Sequence, residues 1–246
     1  MVKFNYKIVV HFDGTCYRGW QLQKPEIPTI QGELIRALKI IAKKKVLVTG
    51  SSRTDAGVHS TGLTANFQIR IRIEAGSMKR ALNSLLPEDI RVMECDIVDH
   101  SFNARFNAKS KVYVYRVFFG DVCPPFTSRC AAHIPYPLNL KNMKKAAKHF
   151  IGEKDFSSFT SDEPQKKRLR EISKLKMKVK GEEIIFTIRG RSFLRYMVRN
   201  IVGTIIDVGR GKIEFTDIPA IFAAKDRRKA GKTAPARGLT LARVLY

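Results

Sequence analysis

Hydrophobic and polar positions alternate in runs short enough to read as separate elements. Residues 6–12 (YKIVVHF) are β-branched and aromatic and end at Asp13-Gly14, which predicts a strand closed by a turn. Thr29 is a candidate N-cap for a helix reaching to about Lys44, because Ile30, Leu34, Leu38, Ile41 and Ala42 fall on one face. Strands are predicted at 46–49 (VLVT) and 63–69 (LTANFQI). A second helix, capped by Ser77 and closed by Pro87, carries Met78, Leu82 and Leu85 and leads to a strand at 90–98. The first part of the chain therefore reads β-α-β-β-α-β.

The same order recurs. A strand at 111–119 (KVYVYRVFF) is followed, after a Pro-rich loop at 124–137, by a helix over 139–151 that Gly152 stops. Residues 172–179 alternate strictly, with Leu175, Met177 and Val179 on one face and Lys174, Lys176 and Lys178 on the other. Lysines on the outer face of a strand block edge-to-edge pairing, and that reading is preferred to a specific ligand contact. Lys180-Gly181-Glu182 turns the chain into a strand at 184–189; a helix over 193–208 and a closing strand at 239–245 (LTLARVL) complete the series. Two such series predict an α+β protein of two ferredoxin-like halves, 1–106 and 107–246, each an antiparallel sheet with helices on one face.

Charge changes the picture. The 246 residues hold 46 Lys and Arg against 22 Asp and Glu, a formal net charge of +24. A surplus of this size repels itself unless a polyanion neutralises it, so nucleic acid is the first partner to consider, an anionic membrane surface the second, and solubility alone the third. No uncharged apolar stretch is long enough to span a bilayer. The opening MVKFNYKIVVHFDG passes straight into strand-like sequence with neither an apolar signal core nor a transit-type segment, so a cytoplasmic or organellar-matrix location is expected. Cys16, Cys95, Cys123 and Cys130 form no C-x-x-C pair and read as reduced thiols without metal-ligand spacing; a Cys123–Cys130 disulfide has no support in the spacing.

The connection between the middle strands differs most between the halves. It is a short turn in the second, whereas GSSRTDAGVHSTG (50–62) fills the slot in the first. Long irregular loops in compact domains are usually disordered or functional. Gly50, Gly57 and Gly62 are expected to let backbone amides turn outward toward a phosphate, although the Gly-Lys-Ser/Thr ending of a nucleoside-triphosphate loop is missing. Asp55 could be a catalytic carboxylate or a turn residue bonding its own backbone, Arg53 a phosphate contact or a surface charge, and His59 a general base or a structural side chain. Residue chemistry alone does not choose among these.

SSRTDAGVH closely resembles the G-R-T-D-A-G-V-H motif of the TruA-type tRNA pseudouridine synthases. The likeness extends through DGTCYRGWQLQ (13–23), ALNSLLPEDI (81–90), FNARFNAKSKVYVYRV (102–117), GEKDFSSF (152–159), SFLRYMVRNIVGTIIDVG (192–209) and KTAPARGLTL (232–241). The resemblance implies two ferredoxin-like halves joined into one mixed, mainly antiparallel sheet with a basic cleft between them, the pseudouridine synthase fold. It implies Asp55 as the nucleophilic carboxylate, Arg53 as the residue that helps extrude the target nucleotide, Tyr113 as the ring packed on uracil, and Arg199 as the partner of the carboxylate. Taken from the residues alone, Tyr113 could be a core aromatic of its strand and Arg199 a surface charge of its helix, although Asn200, Ile201 and Val202 in a mostly apolar stretch favour a buried partner for Arg199. Ser52, Ser60 and Arg191 depart from the usual motif without removing a proposed catalytic group.

The implied reaction detaches uracil at N1, rotates it and rejoins it through C5. It involves no redox change and transfers no group to a second molecule, so no cofactor is expected. The implied partner is the anticodon arm of tRNA, at positions 38, 39 or 40, served by a homodimer. The alternative is a non-catalytic RNA-binding module of two RRM-like halves, although the aromatic signature of that module is missing and KVYVYRVFF is only superficially like it. A third is a ribosome-assembly protein that binds by charge alone.

Overall fold

The computed structural model describes residues 3–161 and 168–246. Two compact units make up the chain: Met1–Lys109 with Leu241–Tyr246, and Ser110–Thr240.

The first unit contains β1 (Phe4–Phe12), α1 (Ile30–Ala42), β2 (Val48–Gly50), β3 (His59–Ile69), α2 (Ala75–Leu85) and β4 (Ile90–Val98). Antiparallel pairing sets β1 between β4 and β3, while the short β2 adds to β3. Period-2 alternation in β1 is real: Tyr6, Ile8 and Val10 are completely buried, and Lys7, Val9 and His11 on the opposite face are not. Tyr6 lies directly across from Phe67, and the rings stack with centroids 5.3 Å apart. Thr29 caps α1 as expected, its Oγ1 accepting the Gly32 N–H at 3.2 Å, and Ile30, Leu34, Ala37, Leu38 and Ala42 form the buried stripe.

The cap of α2 is Glu74 and not Ser77. Its carboxylate accepts the N–H groups of Gly76 at 2.8 Å and Ser77 at 2.7 Å, satisfying two orphan donors at once. The bond from Gly76 and then that from Ser77 hold the Glu74 carboxyl below the ordinary range.

The second unit contains β5 (Ser110–Phe118), a one-turn helix α3 (Pro125–Ser128), β6 (Ala132–His133), α4 (Leu140–Lys148), β7 (Gly152–Asp155), β8 (Leu169–Lys180), β9 (Glu183–Gly190), α5 (Met197–Gly209) and α6 (Ile218–Ala224). Its antiparallel order is β5-β9-β8-β7, with β6 parallel to β5. α4 ends at Lys148, earlier than expected, and Gly152, at φ 102, opens β7 instead of stopping the helix. The lysine face of β8 is exposed as read, and β7 pairs only with Leu169–Ile172. Among the described residues the Lys174–Lys180 stretch therefore has no strand on its outer side, which is where edge-blocking lysines are useful.

α5 starts at Met197 and not at 193, because Tyr196 adopts a left-handed backbone with φ 59. Every residue of α5 except Arg199 is buried. β10 (Leu239–Leu245) lies beside β3, where the Ser60 hydroxyl donates to the Leu241 carbonyl at 3.0 Å. The four cysteines are free, with no Cys123–Cys130 bridge. No helix among the described residues is long and apolar enough to cross a membrane.

Candidate active site

The loop that carries Asp55 is shorter than its sequence suggests. β3 already begins at His59, so only residues 51–58 are irregular. Within them the Val58 N–H donates to the Asp55 carbonyl at 3.2 Å and closes a tight turn, and Gly57 takes the φ of 75 that the turn requires. Thr54 and Val58 are buried, Asp55 is half-buried and Arg53 is exposed. The turn thus sinks its ends into the protein and leaves Asp55 between them half-buried.

What fixes this turn is the segment 13–20, DGTCYRGW, which the sequence marks only as the turn closing the first strand and as part of the family resemblance. It runs alongside the turn and bonds to both of its flanks. The Trp20 N–H donates to the Thr54 carbonyl at 3.2 Å, and the Gly57 N–H donates to the Tyr17 carbonyl at 3.2 Å. Two glycines allow this approach. A Cβ on Gly14 would lie 2.0 Å from the Val58 carbonyl oxygen, and one on Gly19, at φ 93, would lie 2.4 Å from that of Thr54. Their positions at 14 and 19 were the available signal. Trp20 packs its indole over Gly50, where a Cβ would come within 2.5 Å of the ring.

The segment is itself anchored. The Asp13 N–H donates to the Asp89 carbonyl at 3.0 Å, and the Tyr17 hydroxyl donates to the Asp89 carboxylate at 2.6 Å. Burial, reinforced by that bond, pushes the Tyr17 hydroxyl well above the ordinary phenol range, so it stays a donor at any physiological pH.

This arrangement corrects one expectation. Gly57 and Gly62 do not turn free amides outward toward a phosphate: the Gly57 N–H is taken by the Tyr17 carbonyl and the Gly62 N–H by the Ser60 hydroxyl at 3.0 Å. Gly62 instead admits the neighbouring backbone, since a Cβ there would stand 2.2 Å from the Ala242 carbonyl oxygen. His59 is buried, with Nδ1 accepting the Gly14 N–H at 3.2 Å and standing 3.1 Å from the Asp13 carboxylate. So enclosed, the imidazole faces the Asp13–Gly14 corner.

In the second unit Tyr113 is a buried residue of β5, paired across the sheet with Ile188 and meeting Phe193 edge-on at 5.0 Å. Arg199 lies in the first turn of α5. Its Nε donates to the Ala234 carbonyl at 2.8 Å, the Ala234 N–H donates back to the Arg199 carbonyl at 3.1 Å, and its guanidinium sits 5.0 Å from the Tyr196 ring centre. The left-handed Tyr196 that starts the helix therefore also helps to seat the guanidinium. Arg53 and Asp55 thus share one turn of the first unit, and Tyr113 and Arg199 belong to the second.

The family described as tRNA pseudouridine synthase matches residues 8–107 and 146–246, a span that takes in the Asp55 turn, its clamp and α5. The chain belongs to this family. The family's members are isomerases that act on uridine in tRNA. Proteins named tRNA pseudouridine synthase A from Thermoanaerobacter sp. (strain X514) and Acetivibrio thermocellus are 42% and 40% identical over 243 residues, covering 98% of this chain and 99% of each relative. Among solved structures, a chain from a crystal structure of a Cbf5-Nop10-Gar1 complex aligns with TM-score 0.39 and 15% identity, over 96% of this chain and 48% of that one. This chain thus spans about half of that one, and a likeness this loose decides nothing.

For this pseudouridine synthase the clamp makes a direct prediction. Gly19→Ala places a Cβ against the Thr54 carbonyl and forces a left-handed φ on an L-residue, which should cost about 1–3 kcal/mol. Urea unfolding should show that loss together with reduced turnover; parent-like stability and rate would mean that the segment and the turn are not tightly packed.

Proposed function

We propose that the chain converts uridine to pseudouridine at positions 38, 39 or 40 of the tRNA anticodon arm, with Asp55 as its nucleophilic carboxylate. The reading is carried by one observation: a half-exposed Asp55 on a turn whose two flanks are hydrogen-bonded into place, inside a sequence motif of the tRNA pseudouridine synthases. A carboxylate carried on a fixed backbone is pre-organised to meet a substrate.

In this proposal Arg199 supplies the cation that keeps the carboxylate ionised in the working complex, because a guanidinium stays charged and can grip a carboxylate through two bonds. Arg53, exposed on the same turn, clamps the backbone or fills the space left by the extruded nucleotide, since a stacked base must leave its stem before chemistry can reach it. Tyr113 packs on the freed uracil and keeps water from the intermediate. The enzyme works in the cytoplasm as a homodimer, each tRNA supported by two copies.

Mapping pseudouridine in unmodified tRNA after incubation with the protein tests the assignment. New pseudouridine confined to positions 38–40 is the expected outcome. Conversion only at other sites would reject the anticodon-arm assignment, and light scattering that reports a monomer under the same conditions would reject the dimer.

A further inference from the structure

His59 is a polar side chain of the motif to which the proposed reaction gives no role, and its placement is unusual for a residue that only fills space. Its side chain is 9% exposed. Nδ1 accepts the Gly14 N–H at 3.2 Å and lies 3.1 Å from the Asp13 carboxylate, which also takes the Thr15 N–H at 3.0 Å. Nδ1 thus faces both the Gly14 N–H and the Asp13 carboxylate, while Nε2 is buried and has no hydrogen-bond partner among the described residues. Enclosing an unpartnered ring nitrogen costs free energy that an apolar side chain of similar volume would not. The compensating interaction is therefore made at Nδ1.

That atom holds the corner from which the clamp departs. From Gly14 the segment continues through the turn closed by the Tyr17 N–H on the Gly14 carbonyl at 3.0 Å, then to the Tyr17 carbonyl that receives Gly57, and on to the Trp20 N–H that reaches Thr54. His59 also directly follows Val58, whose carbonyl faces Gly14 at a distance that leaves no room for a side chain. One imidazole thus ties the start of the clamp to the end of the turn that carries Asp55.

We propose that His59 is a positioning residue for the isomerisation, its Nδ1 locking the Asp13–Gly14 corner so that the Asp55 carboxylate is held in register with the substrate. The inference rests on the reading of Asp55 as the catalytic carboxylate. Asn carries a polar atom close to the place of Nδ1 and can present either its oxygen to Gly14 or its amide to Asp13. Leu offers neither, and Gln sets its amide one methylene too far.

The test compares His59→Asn, His59→Leu, His59→Gln and Asp55→Ala by steady-state turnover on tRNA, with thermal melts to confirm folding. His59→Leu should lower kcat about 10- to 100-fold, the scale of a small misplacement of a reacting group, with KM within about twofold. His59→Asn should restore kcat to within about threefold of the parent, and His59→Gln should not. If His59→Leu does not fold, the Asn-against-Gln comparison decides alone. A folded His59→Asn as slow as His59→Gln, or a His59→Leu at parental kcat beside a dead Asp55→Ala, overturns the positioning role while leaving Asp55 catalytic. An active Asp55→Ala removes the catalytic reading, and the proposal with it.

Discussion

Replacing Asp55 by Asn is expected to abolish tritium release from tRNA labelled at uridine C5, with a loss on the order of 10⁴-fold, the scale on which removal of a single catalytic residue acts. Asn keeps the size and shape of the side chain, so the turn and its hydrogen bonds to Tyr17 and Trp20 survive; what goes is the anionic oxygen that the proposed chemistry needs, whether it attacks the ribose, attacks the base or removes a ribose proton. Affinity for tRNA should stay the same or rise slightly, because the change deletes a negative charge from a strongly basic protein. The two measurements together are decisive. Turnover close to the parent's would reject Asp55 as the catalyst, whereas lost turnover with lost binding would point to a collapsed loop.

The second large effect concerns salt. With 46 basic against 22 acidic residues, the surplus that strains the folded protein becomes an asset on a polyanion. Each phosphate neutralised releases condensed counterion. A site making roughly six to ten such contacts loses about 10³- to 10⁵-fold in affinity between 50 and 200 mM salt. Binding of tRNA to the Asp55→Asn protein, which cannot turn over, should follow that slope on a logarithmic plot. A flat response would show that the charge serves solubility and that recognition depends on other contacts.

Much of this architecture is legible in the residues, for reasons that differ from place to place. The alternation of YKIVVHF and the 3.6-residue recurrence of Ile30, Leu34 and Leu38 each survive folding because burying one face dominates the local energetics. Boundaries fail where a particular backbone angle or cap decides. Phe193–Tyr196 continues a helical pattern, yet the positive φ of Tyr196 delays the helix, and Glu74 outcompetes Ser77 by reaching two amides at once. Around the Asp55 turn, the motif marks which residues matter but not how they are held. That depends on Gly14 and Gly19 lying against carbonyls some forty residues along the chain, a proximity that no periodicity encodes. Nor does the pattern of LTLARVL say which strand it will lie beside.

That last strand has a consequence for how the protein is made. Residues 241–246 belong to the first unit, where the Lys109 N–H donates to the Leu245 carbonyl at 2.7 Å and the Tyr246 hydroxyl donates to the Ala104 carbonyl at 2.7 Å. On a ribosome the bulk of that unit emerges first, but a strand of its sheet emerges only after everything from Ser110 to Thr240 has been translated. The scaffold around Asp55 therefore stays unfinished until residues 241–246 have been made, and a nascent chain stalled short of Leu241 should expose the flank of β3 to chaperones or to premature pairing with other chains.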